Sequence, residues 1–149
     1  NEDLIKTITY TQPLADSEGT VLGVLGVSLA EDYLKTIYLL SKKQGGVRGV
    51  AIAERLGVSK PTVSIIVKRL VSDGYVRMNE EHEIFLTQTG KTVAKTILER
   101  HITFQQLLVE LGVDEKIAAE DACRMEHDVS PQSFAALKRL AEEKNRQGG

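Results

Sequence analysis

A single cysteine in 149 residues excludes a disulfide within the chain. Such a chain suits a reducing compartment, and the cytoplasm is the expected location. Long hydrophobic runs are absent too: none approaches the roughly 20 apolar residues that a membrane-crossing helix needs, so no membrane partner is expected. The basic, apolar and small-residue regions of a signal peptide are missing. The chain opens on Asn1 rather than Met, as a processed, truncated or engineered start would. No His-Glu-x-x-His pair, nucleophile elbow or glycine-rich phosphate loop occurs, which removes the commonest hydrolase and nucleotide-binding signatures. An enzyme is therefore not expected. A metalloenzyme built on His101, Glu126 and His127 would also need an open metal position and a path for substrate.

What is present is charge, unevenly placed. The formal net charge of -2 would say little if it were evenly spread. Between Lys42 and Arg69, however, seven basic residues face the one acid Glu54, while between Glu110 and Asp128 seven acids face Lys116 and Arg124. One part of the molecule suits a polyanion and the other a cation.

Periodicity divides the chain into three. In residues 1–29, Ile5 to Tyr10 and Thr20 to Leu29 are β-prone runs around the turn signal Asp16-Ser17-Glu18-Gly19, which predicts a β-hairpin. This stretch resembles the last two strands of an extracytoplasmic Cache-type or PAS-like sensor domain, and a fusion remnant is the favoured reading. In residues 30–90, Tyr33, Leu34, Ile37, Tyr38 and Leu40 predict a first helix stopped at Gly45-Gly46. A second helix, Val50 to Leu56, ends at Gly57, and Ser59 caps a third with Pro61 in its first turn, giving a helix-turn-helix. Two short strands around Asn79-Glu80-Glu81-His82 form a wing. In residues 91–149 three more helices carry wide apolar faces, and homodimerisation is the economical way to cover them. The fold class expected is mainly α: a winged helix-turn-helix, then a helical dimerisation domain, with a hairpin in front.

The fifth helix carries the chemistry. Cys123, Glu126 and His127 stand at i, i+3 and i+4, so a thiol, a carboxylate and an imidazole share one face and begin a divalent transition-metal site. A Glu-His pair also suits a solvated face, and a lone Cys suits a small core position. One turn of helix cannot close a coordination sphere by itself. His101 lies on the apolar stripe of the fourth helix.

Glu31 to Tyr38, Ile52 to Ser64, Leu86-Thr87 through Gly90, Arg100-His101 and Asp121 to His127, in that order, resemble the DtxR/MntR family of metal-dependent repressors, over about Ala30 to Leu140. The resemblance implies a homodimer that binds a palindromic operator in double-stranded DNA once Mn(II) or Fe(II) is bound, in a short type without an SH3-like third domain. It implies that residues 91–149 bind metal, with Asp32, Cys123, Glu126 and His127 at ligand positions and His101 at the position of an ancillary ligand. Lys35, Gln105 and Ala119 depart from ligand positions, which speaks against a binuclear site. The donor set itself also admits Co(II) or Zn(II) in vitro.

In this arrangement the third helix would enter the major groove, with Ser59, Lys60, Thr62 and Ser64 at or near the DNA. Lys60, Lys68, Lys42, Lys43 and Arg48 would neutralise phosphates. Pro61 and Ser64 match family positions near the bases, whereas Ile65 offers only apolar contact. The acidic wing tip is expected to make little phosphate contact. The alternative is a winged-helix regulator that ignores metal and senses a small molecule.

Overall fold

The computed structural model describes residues 26–148 and divides into two compact units, one ending at Lys95 and one starting at Thr96. The expected N-terminal hairpin falls on residues 1–25, outside the described residues, apart from its end. That end is corrected: Val27 to Leu29, expected in a strand, form the first turn of helix α1, Val27–Gln44. Burial explains the change, because Leu29 and Ala30 pack against the same core as Tyr33 one turn later.

The first unit continues with α2, Gly49–Leu56, and α3, Lys60–Ser72. Between them Gly57 adopts the left-handed conformation (φ 70°), and its N–H closes α2 on the Ala53 carbonyl at 2.9 Å. Ser59 then caps α3: its side chain accepts from the Thr62 N–H at 3.3 Å. Pro61 in the first turn needs no donor there. One face of α3, made of Val63, Ile66, Val67 and Leu70, is buried in a core shared with Tyr33, Leu34, Ile37 and Ile52.

The wing is a hairpin of β1, Val76–Met78, and β2, Ile84–Leu86, in register Val76 to Leu86. Val47 adds an isolated antiparallel rung to β2 by exchanging two backbone hydrogen bonds with Ile84, at 3.0 and 2.7 Å. At the wing tip His82 holds a positive φ of 61°, which closes the turn that Asn79 stabilises by accepting from the Glu83 N–H at 2.8 Å.

Helix α4, Gln88–Glu110, begins on the sheet. Thr87 donates from Oγ1 to the Gly74 carbonyl at 2.7 Å and accepts from the Gly90 N–H at 3.2 Å, so one hydroxyl both ties β2 to the end of α3 and caps α4. Gly90 sits so close to Tyr75 that a Cβ would lie 2.1 Å from its backbone carbonyl oxygen. The spacing of Leu86, Thr87 and Gly90 is thus a packing requirement.

The second unit contains residues 96–110 of α4, then α5, Glu115–Met125, and α6, Pro131–Gln147. Asp114 caps α5 by accepting from Lys116 and Ile117 N–H groups, and Ser130 caps α6 by accepting from the Ser133 N–H. Its buried side chains include Ile97, Phe104, Leu107, Ala118, Ala122 and Ala141. Phe104 meets Phe134 edge to face, with centroids 5.8 Å apart.

Gly90→Ala is expected to lower stability by about 1 to 3 kcal/mol, because the opposing atom is backbone and cannot rotate away. Chemical denaturation of the two proteins checks it.

Candidate metal centre and nucleic-acid surface

His101, Cys123 and Glu126 come together in the second unit. Ile97 and Phe104, one turn before and one turn after His101, are buried and fix the face of α4 that carries the imidazole. Ala118 and Ala122 give α5 a buried face with little bulk, which suits a close approach to its neighbours. The helix proper stops at Met125, but Glu126 keeps helical angles (φ -59°, ψ -23°), so its relation to Cys123 persists. His127 already lies in the following turn.

Three donor atoms, one from each of His101, Cys123 and Glu126, lie within 4.8 Å of one another. His101 Nδ1 is 3.0 Å from Glu126 Oε2, and Cys123 Sγ is 3.6 Å from the same nitrogen. His127 is outside this trio and addresses the other carboxylate oxygen, with Nε2 at 3.4 Å from Oε1. The Glu126 side chain has 0% exposure and that of His127 2%. A carboxylate buried between two imidazoles is one whose charge must be met by protons or by a cation.

The trio fits an ion in both chemistry and spacing. Ligand distances of about 2.0 to 2.3 Å place neighbouring donors about 3 to 3.7 Å apart, and the two measured separations are of that size. A protonated His101 Nδ1 would donate to Glu126; deprotonated, the same nitrogen becomes a donor atom for an ion. Imidazole, carboxylate and thiolate together suit Mn(II), Fe(II), Co(II) or Zn(II).

Asp32 lies on α1 in the first unit, buried, next to Tyr33, whose hydroxyl pKa burial pushes far up. Lys35, Gln105 and Ala119, the departures from the family pattern, are half-buried.

Sequence reasoning did not assign a role to Arg100. Its Nη1 donates to the carbonyls of Glu126 at 3.2 Å and Val129 at 2.7 Å, and its guanidinium lies 5.3 Å from the Phe134 ring centroid. One side chain thus holds the α5–α6 turn on which Glu126 and His127 sit. Its place one residue before His101 was visible in the sequence, but contacts with carbonyls leave no sequence pattern.

The residues expected at DNA are in the first unit, and Lys42, Lys43, Arg48, Ser59, Lys60, Pro61, Thr62, Ser64 and Lys68 are all exposed. The exposed face of α3 is the one opposite its buried stripe, and Ile65 belongs to it. Ser59 and Thr62 also hydrogen-bond each other at 2.8 Å, so the cap orders both. Lys42 lies over the Tyr38 ring at 4.7 Å. Arg77, not among the expected residues, is exposed on β1 with its guanidinium 4.5 Å from the Phe85 centroid. Strand alternation could have found it, since Val76 is buried and its neighbour must face out.

Comparison with known proteins matches both units. A family described as iron dependent repressor, N-terminal DNA binding domain, matches residues 27–83, and one described as iron dependent repressor, metal binding and dimerisation domain, matches residues 87–146. The transcriptional regulator MntR of Escherichia coli O6:H1 is 40% identical over 110 residues, or 74% of this chain and 71% of that protein. The diphtheria toxin repressor of Corynebacterium diphtheriae is 34% identical over 121 residues, 80% of this chain and 54% of its own. A solved manganese-dependent transcriptional repressor in complex with manganese superposes with a TM-score of 0.70 at 31% identity, over 76% of this chain. The chain spans about half of that structure's length, 52%.

Arg100→Gln is expected to destabilise the protein by about 1.5 to 3 kcal/mol, the usual worth of hydrogen bonds from a charged group. Amide hydrogen exchange should show the loss of protection concentrated at residues 126–130.

Proposed function

The chain belongs to the iron-dependent repressor family, the DtxR/MntR repressors, and from that premise we propose a metal-responsive repressor that binds a palindromic operator as a homodimer when Mn(II) or Fe(II) is bound. The observation that carries this reading is the convergence of His101, Cys123 and the fully buried Glu126. His101, Cys123, Glu126 and His127 are the proposed ligands from the second unit. On the strength of the family resemblance, Asp32 on α1 joins them.

When bound, the ion supplies positive charge that carboxylate, thiolate and imidazole groups from separate helices can share. The chain's own residues do the rest. Arg100 keeps Glu126 and His127 oriented by holding their turn. Tyr33, Leu34 and Ile37 fix α1 into the core of the helix-turn-helix, so whatever restrains Asp32 restrains the unit that carries α3. Ser59 and Thr62 order the start of α3; Lys60, Lys68, Lys42, Lys43 and Arg48 neutralise phosphates, and Pro61 and Ser64 face bases. Linkage requires that metal and DNA favour the same arrangement of the protein and tighten each other's binding equally, typically by about 1 to 3 kcal/mol.

Homodimerisation is supported by apolar side chains left exposed in the second unit, among them Ile102, Val109, Leu111 and Ile117. Manganese is favoured by the superposed repressor, which was solved in complex with manganese, and the thiol of Cys123 keeps Fe(II) equally in play.

Fluorescence anisotropy of the reduced, anaerobic protein on duplexes selected from a random-sequence library tests the switch at fixed salt. Chelation is expected to weaken binding roughly 5- to 150-fold. Cys123→Ser should shift the metal titration to higher Mn(II) or Fe(II) while the dimer remains intact. Equal binding with and without metal would leave a winged-helix regulator of another ligand. Sedimentation should report a dimer for the wild-type chain, and Val109→Glu should shift it toward monomer.

A further inference from the structure

In its N-terminal half, α3 carries an apolar strip along the middle of its exposed face. At 3.6 residues per turn, the direction opposite the buried stripe Val63, Ile66, Val67 and Leu70 falls on Pro61 and Ile65, and one turn further on Lys68 and Ser72. Ile65 keeps 38% exposure, whereas the next residue, Ile66, keeps 6%. The same side chain serves the core at one position and meets solvent at the other, and only helical phase separates them.

The polar neighbours of Ile65 are turned to the two ends of the helix. Thr62, one turn back, shares a hydrogen bond of 2.8 Å with the Ser59 hydroxyl at the helix start. Arg69, one turn on, pairs through Nε with Asp73 at 3.1 Å, at the helix end. Neither Pro61 nor Ile65 has a side-chain donor or acceptor, so the middle of this face cannot use the hydrogen-bonding pattern of base edges. The apolar group that a base pair offers in the major groove is the C5-methyl of thymine. Isoleucine, branched at Cβ, strongly prefers one χ1 rotamer in a helix, so its methyl groups are placed before any contact forms. Helical side chains also lean toward the N-terminus, which is the end of a recognition helix that meets base edges.

Resting on the DNA-binding reading above, we propose that Ile65 is a specificity-determining residue that recognises the C5-methyl group of a pyrimidine and so selects thymine at one position of each half-site. The gain is the apolar surface that the two groups remove from water when they meet. Because the contact is to the methyl and not to the pairing edge, 5-methylcytosine offers the same group and cytosine does not.

The test uses the full chain loaded with Mn(II), on a duplex selected from a random-sequence library, by anisotropy at fixed salt. Each thymine of one half-site is replaced in turn by deoxyuridine, which removes the methyl group and leaves the pairing edge intact. At one position this should weaken wild-type binding roughly 3- to 5-fold, the worth of one buried methyl-sized group. Cytosine placed there should gain a similar factor on 5-methylation. Ile65→Ser should bind the thymine duplex more weakly and lose nothing further with deoxyuridine at that position, while Ile65→Val should keep the loss. Ile65→Ala gives a second reading if the serine variant folds poorly. With the wild type binding, no deoxyuridine loss at any position, or losses that the serine and alanine variants all retain, would overturn this proposal alone. Failure of the wild type to bind any selected duplex would overturn the repressor reading and this one with it.

Discussion

A carboxylate removed from water is unfavourable unless its charge is met, and the second unit is arranged around one such group. Glu126 has no solvent exposure, and both of its oxygens face imidazole nitrogens, His101 at 3.0 Å and His127 at 3.4 Å. Replacing those contacts by water is not open to it at that depth. Cys123 completes the neighbourhood with a polarizable sulfur. The Arg100 guanidinium donates from Nη1 to the backbone of the turn. Positive charge on Arg100 is thus used to fix the geometry of the turn that carries Glu126.

The first unit solves a different problem: presenting a short helix rigidly with little mass behind it. Gly57 turns the chain, Ser59 starts α3, and the buried stripe from Val63 to Leu70 fixes its rotation. Thr87 and Gly90 bind the wing to the start of α4, and Val47 stitches the α1–α2 connection to β2. Each device removes a degree of freedom from the surface that carries the exposed basic residues. A repressor that is switched needs such rigidity, since a loosely held recognition helix would bind DNA poorly in any state.

Much of this was legible in the sequence because it rests on local rules. Helical periodicity, the Gly57 turn and the Ser59-Pro61 start depend on residues a few positions apart, and the helices and wing strands expected from residue 30 onward appear within a few residues of their bounds. The i, i+3 relation of Cys123 and Glu126 survived as well, even though the helix proper ends one residue before Glu126. What was not legible depends on distant partners. Val27 to Leu29 read as strand because β-prone residues dominate there, whereas packing of Leu29 on the core decides for helix. The Val47 rung, the Arg100 clamp and the place of Arg77 on Phe85 arise from contacts 10 to 40 residues away or across the sheet, which no spacing encodes.

The central claim is that His101, Cys123 and Glu126 hold a divalent ion through nitrogen, sulfur and oxygen. Anaerobic titration of the reduced protein with Co(II), followed by ultraviolet and visible absorption, addresses it most directly, since a bound thiolate gives a sulfur-to-cobalt charge-transfer band that carboxylate and imidazole do not. A band that saturates at a fixed stoichiometry and is absent in Cys123→Ser is the result this account requires. Cobalt binding with no thiolate band, or no saturable binding at all, would contradict it.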